Sequence, residues 1–237
     1  MASGPTPVPA GQTVTTDFQL QVSDGSITSN DFTTSVVVTD PPCFCRGTLI
    51  RTERGEVPVE DLKAGDKVVT ISGNVLPIRW IGQRTVAARF SDPLRAWPIR
   101  IKANALADNV PSRDLLLSPD HAVFLDGTLV QAGALVNGAS IVHETSVPEV
   151  FTYYHVELDD HALIIANNVP SETFVDNVDR FGFDNWKEYE ALYPAGKPIV
   201  EMPYPRAKAY RQVPRSIREL LEIRAALLMD ATQEMAA

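Results

Sequence analysis

Cys43 and Cys45 are the only two cysteines among 237 residues, and they stand one residue apart in "PPCFCRGTLI", residues 41–50. Two thiols at C-x-C spacing are too few for a disulfide framework and too close to bridge each other easily. They read as half of a metal site, a redox pair, a reactive thiol with a bystander, or two thiols without a chemical role. The histidines that could join them are His121, His143, His155 and His161. A zinc site would combine Cys43 and Cys45 with two of these. The ligand types suit zinc, but the histidines lack the close pairing of known zinc motifs.

The elements that must hold these side chains are short and β-like. Between residues 43 and 178 run "GTLIRT", "DKVVTI", "IRWIG", "WPIRIK", "DLLLS", "HAVFL", "SIVHE", "TYYHVEL" and "HALIIA", separated by Gly, Pro, Asp and Asn. Many short strands with hardly a helical period among them predict an all-β domain. A faint repeat supports a duplicated unit with pseudo-twofold symmetry. "GTLI" (47–50) precedes "LKAGDKVV" (62–69), and "GTLV" (127–130) precedes "LVNGASIV" (135–142).

The flanks differ. Residues 1–12 are rich in Pro, Gly, Ser and Thr and read as a disordered leader. "TVTTDFQLQV" and "FTTSVVVTD" alternate like two strands of an immunoglobulin-like repeat, and Pro41-Pro42 ends that stretch because proline cannot continue a ladder. Residues 1–42 thus form an N-flank, 43–178 a β domain, and 179–237 a C-terminal extension. In the extension, "FDNWKEYEALYP" predicts a short helix with Trp186, Tyr189 and Leu192 on one side, ended by Pro194. "MPYPRAKAYRQVPR" is a proline-broken strap. The pattern Ser216-x-x-Glu219 then opens a docking helix carrying Ile217, Leu220, Leu221, Leu227 and Leu228.

Composition narrows the function. With 44% hydrophobic residues the chain can bury a sizeable core, as soluble globular proteins do. A formal net charge of -9 argues against a nucleic-acid surface, which needs a basic patch. The longest apolar runs, such as Ala162–Ala166, are strand-sized and too short to span a bilayer. "MASGPTPVPAGQ" lacks the charged and apolar regions of a signal peptide, although export by another signal stays open, so no compartment is assigned.

The stretch from Cys43 to Thr70 resembles the opening of a Hint domain, the self-processing module shared by Hedgehog proteins and inteins, in its bacterial intein-like form. The matching residues, in order, are Cys43, Gly47, Thr48, Pro58-Val59-Glu60-Asp61-Leu62 and Gly65-Asp66. "PIRWIGQR" (77–84) and "MPYPRAK" (202–208) are also typical of the bacterial subgroup. "LLLSPDHAVFL" resembles the block that reads Thr-x-x-His in most inteins, here Ser118-Pro119-Asp120-His121. "YYHVELDDHALIIANN" resembles the late block, with His161 on its histidine and His155 where Asp is common.

The resemblance implies an all-β Hint fold with a short C-terminal helical extension, and an autoproteolytic reaction. The Cys43 sulfur would reach the Pro42 carbonyl carbon through a five-membered ring, replacing the peptide bond with a thioester. An amide nitrogen leaves poorly, so the step needs a proton donor and an oxyanion stabiliser. His121 is implied as the proton donor to the Cys43 nitrogen and Ser118 as the group that hydrogen-bonds the scissile peptide. Asp160, His161 and His155 are implied to orient or deprotonate the thiol. Cys45 matches no motif position and reads as a bystander. The partners implied are the chain's own N-terminal flank as substrate and water, a thiol or another nucleophile as acceptor, with neither cofactor nor metal.

Two departures qualify this. An intein ends in His-Asn so that the Asn can cyclise, but here that slot reads Ser171-Glu172, which predicts cleavage without splicing. The Pro42 ring also crowds the carbonyl under attack and should slow the acyl shift. Pro42 therefore favours a second reading, an inactive Hint-fold structural or interaction module of a secreted or surface protein. The intact Cys43, Ser118 and His121 favour the first.

Overall fold

The computed structural model describes residues 41–175 and 180–236. The expected leader and the two strand-like segments before Pro41 lie outside the described residues.

In chain order come β1 (Phe44–Cys45), β2 (Leu49–Thr52), β3 (Gly55–Pro58), β4 (Lys67–Val69), β5 (Val75–Pro77) and the long β6 (Trp80–Ala87). A short helix, α1 (Pro93–Ala96), precedes β7 (Ile99–Ile101), β8 (Leu115–Leu117), β9 (Ala122–Leu125), β10 (Thr128–Gln131) and β11 (Ile141–His143). A second long strand, β12 (Val150–Glu157), is followed by β13 (Leu163–Ala166) and β14 (Val169–Glu172). The extension holds α2 (Trp186–Leu192), β15 (Arg206–Ala207) and α3 (Arg215–Ala236).

The strands form two sheets. One is six-stranded in the order β11-β7-β8-β1-β12-β6, and the other runs β15-β10-β9-β14-β13-β2-β4-β5 with β3 added beside β2. Each of the nine β-like stretches read from the sequence contains a strand. The repeat has a backbone cause. Gly47 and Gly127 sit at φ +83° and +76°, Gly65 and Gly138 at +92° and +72°, so each copy needs glycine at the same two left-handed positions. In each copy a 3₁₀ turn, Val59–Asp61 or Ala132–Leu135, follows the Gly-Thr-Leu strand. Each copy then leads to a long strand, and the two pair in register from Trp80↔Glu157 to Ala87↔Val150.

Two-residue turns set the register around the site. Asp126-Gly127 joins β9 to β10 and Asn167-Asn168 joins β13 to β14, with positive φ at all four residues. This is the mirror-image turn whose twist matches that of the flanking strands. Asn167 also ties three segments together, accepting the Leu49 N–H at 2.8 Å and donating to the Asp114 carbonyl at 3.1 Å.

The main core lies between the sheets and includes Phe44, Ile50, Ile99, Leu115, Leu117 and Ile164. A second cluster forms where the extension returns to β6, joining Cys43, Trp80, Tyr153 and Phe174 to Phe183, Tyr189 and Ile199. Burying a ring such as Phe183 contributes about 1.5–3 kcal/mol. Arg180 lies 4.2 Å from the Phe174 ring centroid and 4.1 Å from that of Tyr189, with its Nε donating to Glu157 at 3.0 Å.

Both expected helices form, with two differences. On α2, Tyr189 is buried but Leu192 is exposed, because Tyr193 rather than Leu192 turns back to the cluster. α3 starts at Arg215, one residue before the expected cap, so the Ser216 hydroxyl sits inside the first turn and donates to Asp126 instead. The packed face of α3 is Ile217, Leu221 and Ala225, with Leu228 partly buried, while Leu220 and Leu227 face outward. Among the described residues no helix is long and apolar enough to cross a membrane.

Candidate functional site

β1 is only two residues long yet lies inside its sheet, with Phe44 opposite both Leu117 of β8 and Tyr154 of β12. Pro41 and Pro42 lack the N–H groups that would extend the strand. Cys43 is therefore delivered, fully buried, to the point where β1 meets the end of β8.

Ser118 is the first residue past β8, and it grips the junction from both sides. Its Oγ accepts the Cys43 N–H at 2.7 Å and reaches the Pro41 carbonyl at 3.4 Å, while its N–H donates to the Cys43 carbonyl at 2.9 Å. Pro119 and Asp120 complete a tight turn closed by the His121 N–H on the Ser118 carbonyl, at 3.1 Å. The turn is itself anchored, because Ala132 N–H donates to the His121 carbonyl and Gly133 N–H to the Pro119 carbonyl, both at 2.9 Å. Four residues thus carry Ser118 and His121 to the same junction.

The His121 ring packs on Phe44 with centroids 4.3 Å apart, and His155 of β12 lies 5.5 Å further in. Both histidines are fully buried, and their ring nitrogens lack well-aligned hydrogen bonds among the described residues. Burial lowers the His121 pKa from 6.5 to about 4, with Arg206 pushing the same way and the Glu172 charge and the nearby Cys43 and Glu172 backbone opposing. Burial, reinforced by the charge of His121, also holds His155 well below its ordinary value. Both are neutral imidazoles at pH 7, each with one ring nitrogen able to take a proton.

His161 precedes β13 and stands behind this pair. Its Nδ1 accepts the Met202 N–H at 3.0 Å and its Nε2 lies 3.4 Å from the Glu172 carboxylate. Glu172 occupies the slot where an intein would carry the cyclising Asn, and the sequence there gives no sign of a further role. Here it is fully buried at the end of β14. One oxygen accepts the Ala122 N–H at 2.8 Å, and Arg206 of β15 binds both, at 3.2 and 2.6 Å. Burial opposes its ionisation, but hydrogen bonds from His161 and Arg206, with the Arg206 charge and then that of His121, outweigh that and bring the pKa down from 4.5 to about 2.

Asp160 is not brought into this group. It is exposed in the turn between β12 and β13, next to Asp159, which is ion-paired with Arg79 and Lys197. Cys45 lines a separate cavity of about 400 Å³ with Arg100, Glu144 and Phe151. Burial, with the Glu144 charge, pushes its thiol well above the ordinary value, so it stays protonated and is a poor nucleophile. Among the described residues no three His, Cys, Asp or Glu side chains are placed to share a metal ion, and neither cysteine is in a disulfide.

The model of the Hint domain family matches residues 42–178, more than half of the chain. The chain belongs to the Hint domain family. Among solved structures, this Hint domain is similar to the bacterial intein-like domain from Clostridium thermocellum, at 19% identity and a TM-score of 0.40 over 56% of this chain and 98% of that one. It is also similar to the DnaB intein from Synechocystis sp. PCC 6803, at 13% identity and a TM-score of 0.39, covering 56% and 99%. The MchDnaB-1 intein gives 14% identity and 0.38, covering 55% and 99%. No curated protein matches it by sequence.

Hint domains are self-processing modules, and the arrangement here has the parts for acyl chemistry. A thiol-bearing residue follows the peptide bond, a hydroxyl holds that bond, and a neutral imidazole lies beside it. The signal that pointed to Ser118 and His121 was the short Ser-Pro-Asp-His block. No comparable local signal marks Glu172, and "MPYPRAK" marks Arg206 without naming its partner; the two meet only through the pairing of β14, β9, β10 and β15.

Proposed function

We propose that this Hint domain cleaves its own chain at Pro42–Cys43 by an N-to-S acyl shift, releasing residues 1–42 without splicing. The working unit in this reading is 43–178, with 1–42 as its substrate and 179–237 packed against it. The observation that carries the reading is the 2.7 Å hydrogen bond from the Cys43 N–H to Ser118 Oγ, with the neutral His121 ring in the same buried junction.

The protons balance within the site. His121 takes the proton from the Cys43 thiol as the sulfur attacks the Pro42 carbonyl carbon, and the resulting imidazolium gives that proton to the Cys43 nitrogen as the C–N bond breaks. The product is a Pro42 thioester on Cys43 with a free α-amine. Neutral His121 suits the first half as a base, and its low pKa suits the second half as an acid. General acid–base help of this kind is worth about 10²–10⁴ in rate. The thioester is then opened by water, a thiol or another nucleophile. Ser118 holds the amide in place, and His155 lies beside His121 with ring centroids 5.5 Å apart. Cleavage after Ser171-Glu172 is unsupported, since Glu172 has no amide nitrogen to cyclise and both its oxygens are engaged.

Intact mass spectrometry of the purified chain with and without hydroxylamine tests this. The expected products are residues 1–42 and a fragment beginning at Cys43. Cys43→Ala abolishes them, and Cys45→Ala leaves the rate within about threefold, as suits a residue off the reaction path. Loss of release in the Cys45 variant alone assigns the nucleophile wrongly. No release from the wild-type chain favours an inert Hint-fold interaction module, the reading that the crowded Pro42 carbonyl supports.

A further inference from the structure

The chain comes back to the site from outside the stretch that matches the family. Residues 199–207 run from the second core cluster to the edge of β10, where Leu129 pairs with Arg206 and Val130 with Ala207 in parallel register. That pairing places Arg206 across the nine-stranded sheet edge from β14, where its guanidinium meets both oxygens of the buried Glu172. The same strap sets the state of His161. Because Nδ1 accepts the Met202 N–H, the ring proton sits on Nε2 and faces Glu172. The strap thus orients the His161 ring toward the carboxylate.

We propose that Arg206 is a positioning residue of the processing site, holding the Glu172 carboxylate beside His121 and balancing its charge. This rests on the processing reading above. The groups around His121 are Cys43 and Phe44 from the β1 side, Ser118 from the end of β8, His155 from β12 and Glu172 from β14. Behind Glu172 stand His161, which precedes β13, and Arg206 from β15. Glu172 is the one anion among them, so it is the charge that steadies an imidazolium formed when His121 takes the thiol proton. Without a partner, a carboxylate with no exposure would itself be driven to protonate. The forked guanidinium keeps it ionised and aimed, which a flexible ammonium does less well. The second carboxylate on Arg206, Glu201, lies 2.6 Å from Nε at the exposed side and completes the fork's partners.

The test uses the full chain and its Arg206→Gln and Arg206→Lys variants. First-order release of residues 1–42 in hydroxylamine is followed as a function of pH, with thermal unfolding measured in parallel. Arg206→Gln is expected to slow release by about tenfold or more, the scale on which neighbouring charged groups couple. It also moves the acid limb of the rate profile to lower pH, because Glu172 then protonates and the larger of the two opposed charges acting on His121 is lost. Arg206→Lys keeps the charge, so its limb stays in place and part of the rate returns. A merely structural role gives a different pattern: lower melting temperature, a rate reduced only as the folded fraction falls, an unmoved limb and no rescue by Lys. That pattern overturns the proposal. If the wild-type chain releases nothing, the processing reading falls, and imidazole ¹⁵N titration of the same three chains decides the Arg206 arrangement. A lowered His121 pKa in the Gln variant alone upholds it, and an unchanged or raised one overturns it.

Discussion

His121 spends its life as a neutral ring in an apolar setting, and that has a cost in acid. Its folded pKa of about 4 lies below the 6.5 of an exposed histidine, so between these values the unfolded chain binds a proton that the folded chain does not. Stability is therefore full above about pH 6.5 and falls as pH drops toward 4, by about 3 kcal/mol from this residue. Glu172 adds a second, lower window, since its folded pKa of about 2 lies below 4.5 and its contribution is lost as pH falls between them. Urea unfolding at a series of pH values checks this. The wild-type midpoint should decline steadily below pH 6.5, and His121→Gln should remove part of the decline above pH 4.5, buried His155 supplying the rest, while leaving the lower part. A Gln variant with the wild-type slope shows that His121 is not the group that titrates.

The elements that matter most to the site are among the smallest. β1 contributes two residues, yet its place between β8 and β12 decides where the thiol goes. β6 and β12 carry the other side of the site, and Gly82 of β6 is the register partner of His155. A Cβ at Gly82 would come 2.7 Å from the Phe183 ring and 2.9 Å from that of Trp80. Both rings are buried among neighbours and have nowhere to swing. Gly82→Ala is expected to destabilise the fold by about 1–3 kcal/mol through overpacking, read as a lower denaturant midpoint at unchanged slope. A variant as stable as the wild type shows that the Phe183 seat on β6 is softer than this packing implies.

At the scale of the molecule, the route of the chain separates two possible outcomes of an acyl shift. The Pro42–Cys43 junction sits inside the six-stranded sheet's neighbourhood, held by Ser118, whereas Ser171 and Glu172 are locked in β14 between β9 and β13. Beyond them the chain goes on to pack α2 and α3 against the two sheets. A reporter domain fused after Ala237 should therefore stay on the fragment that begins at Cys43. Denaturing gels and mass spectrometry of the fusion read this directly. A product joining the reporter to residues 1–42 shows a surviving splicing step and refutes the one-sided reaction.

Much of this architecture is local and was open to reading in the chain alone. The alternating segments became strands because alternation is a property of neighbours two apart, and Asp126-Gly127 and Asn167-Asn168 form their turns because those residue types accept positive φ. The Ser-Pro-Asp-His block is equally local: four consecutive residues bring Ser118 and His121 to one place. The cap of α3 misled because Ser216 found Asp126, a partner 90 residues away, inside a helix that starts one residue earlier. Asp160, which the resemblance of the late block put with His161, is exposed between β12 and β13, because a block of sequence does not fix which way a loop carboxylate faces. The pairing of Glu172 with Arg206 was beyond sequence reasoning for a firmer reason. Their ion pair exists only because β14, β9, β10 and β15 lie side by side, and no spacing of 34 residues between a carboxylate and a guanidinium encodes that order of strands.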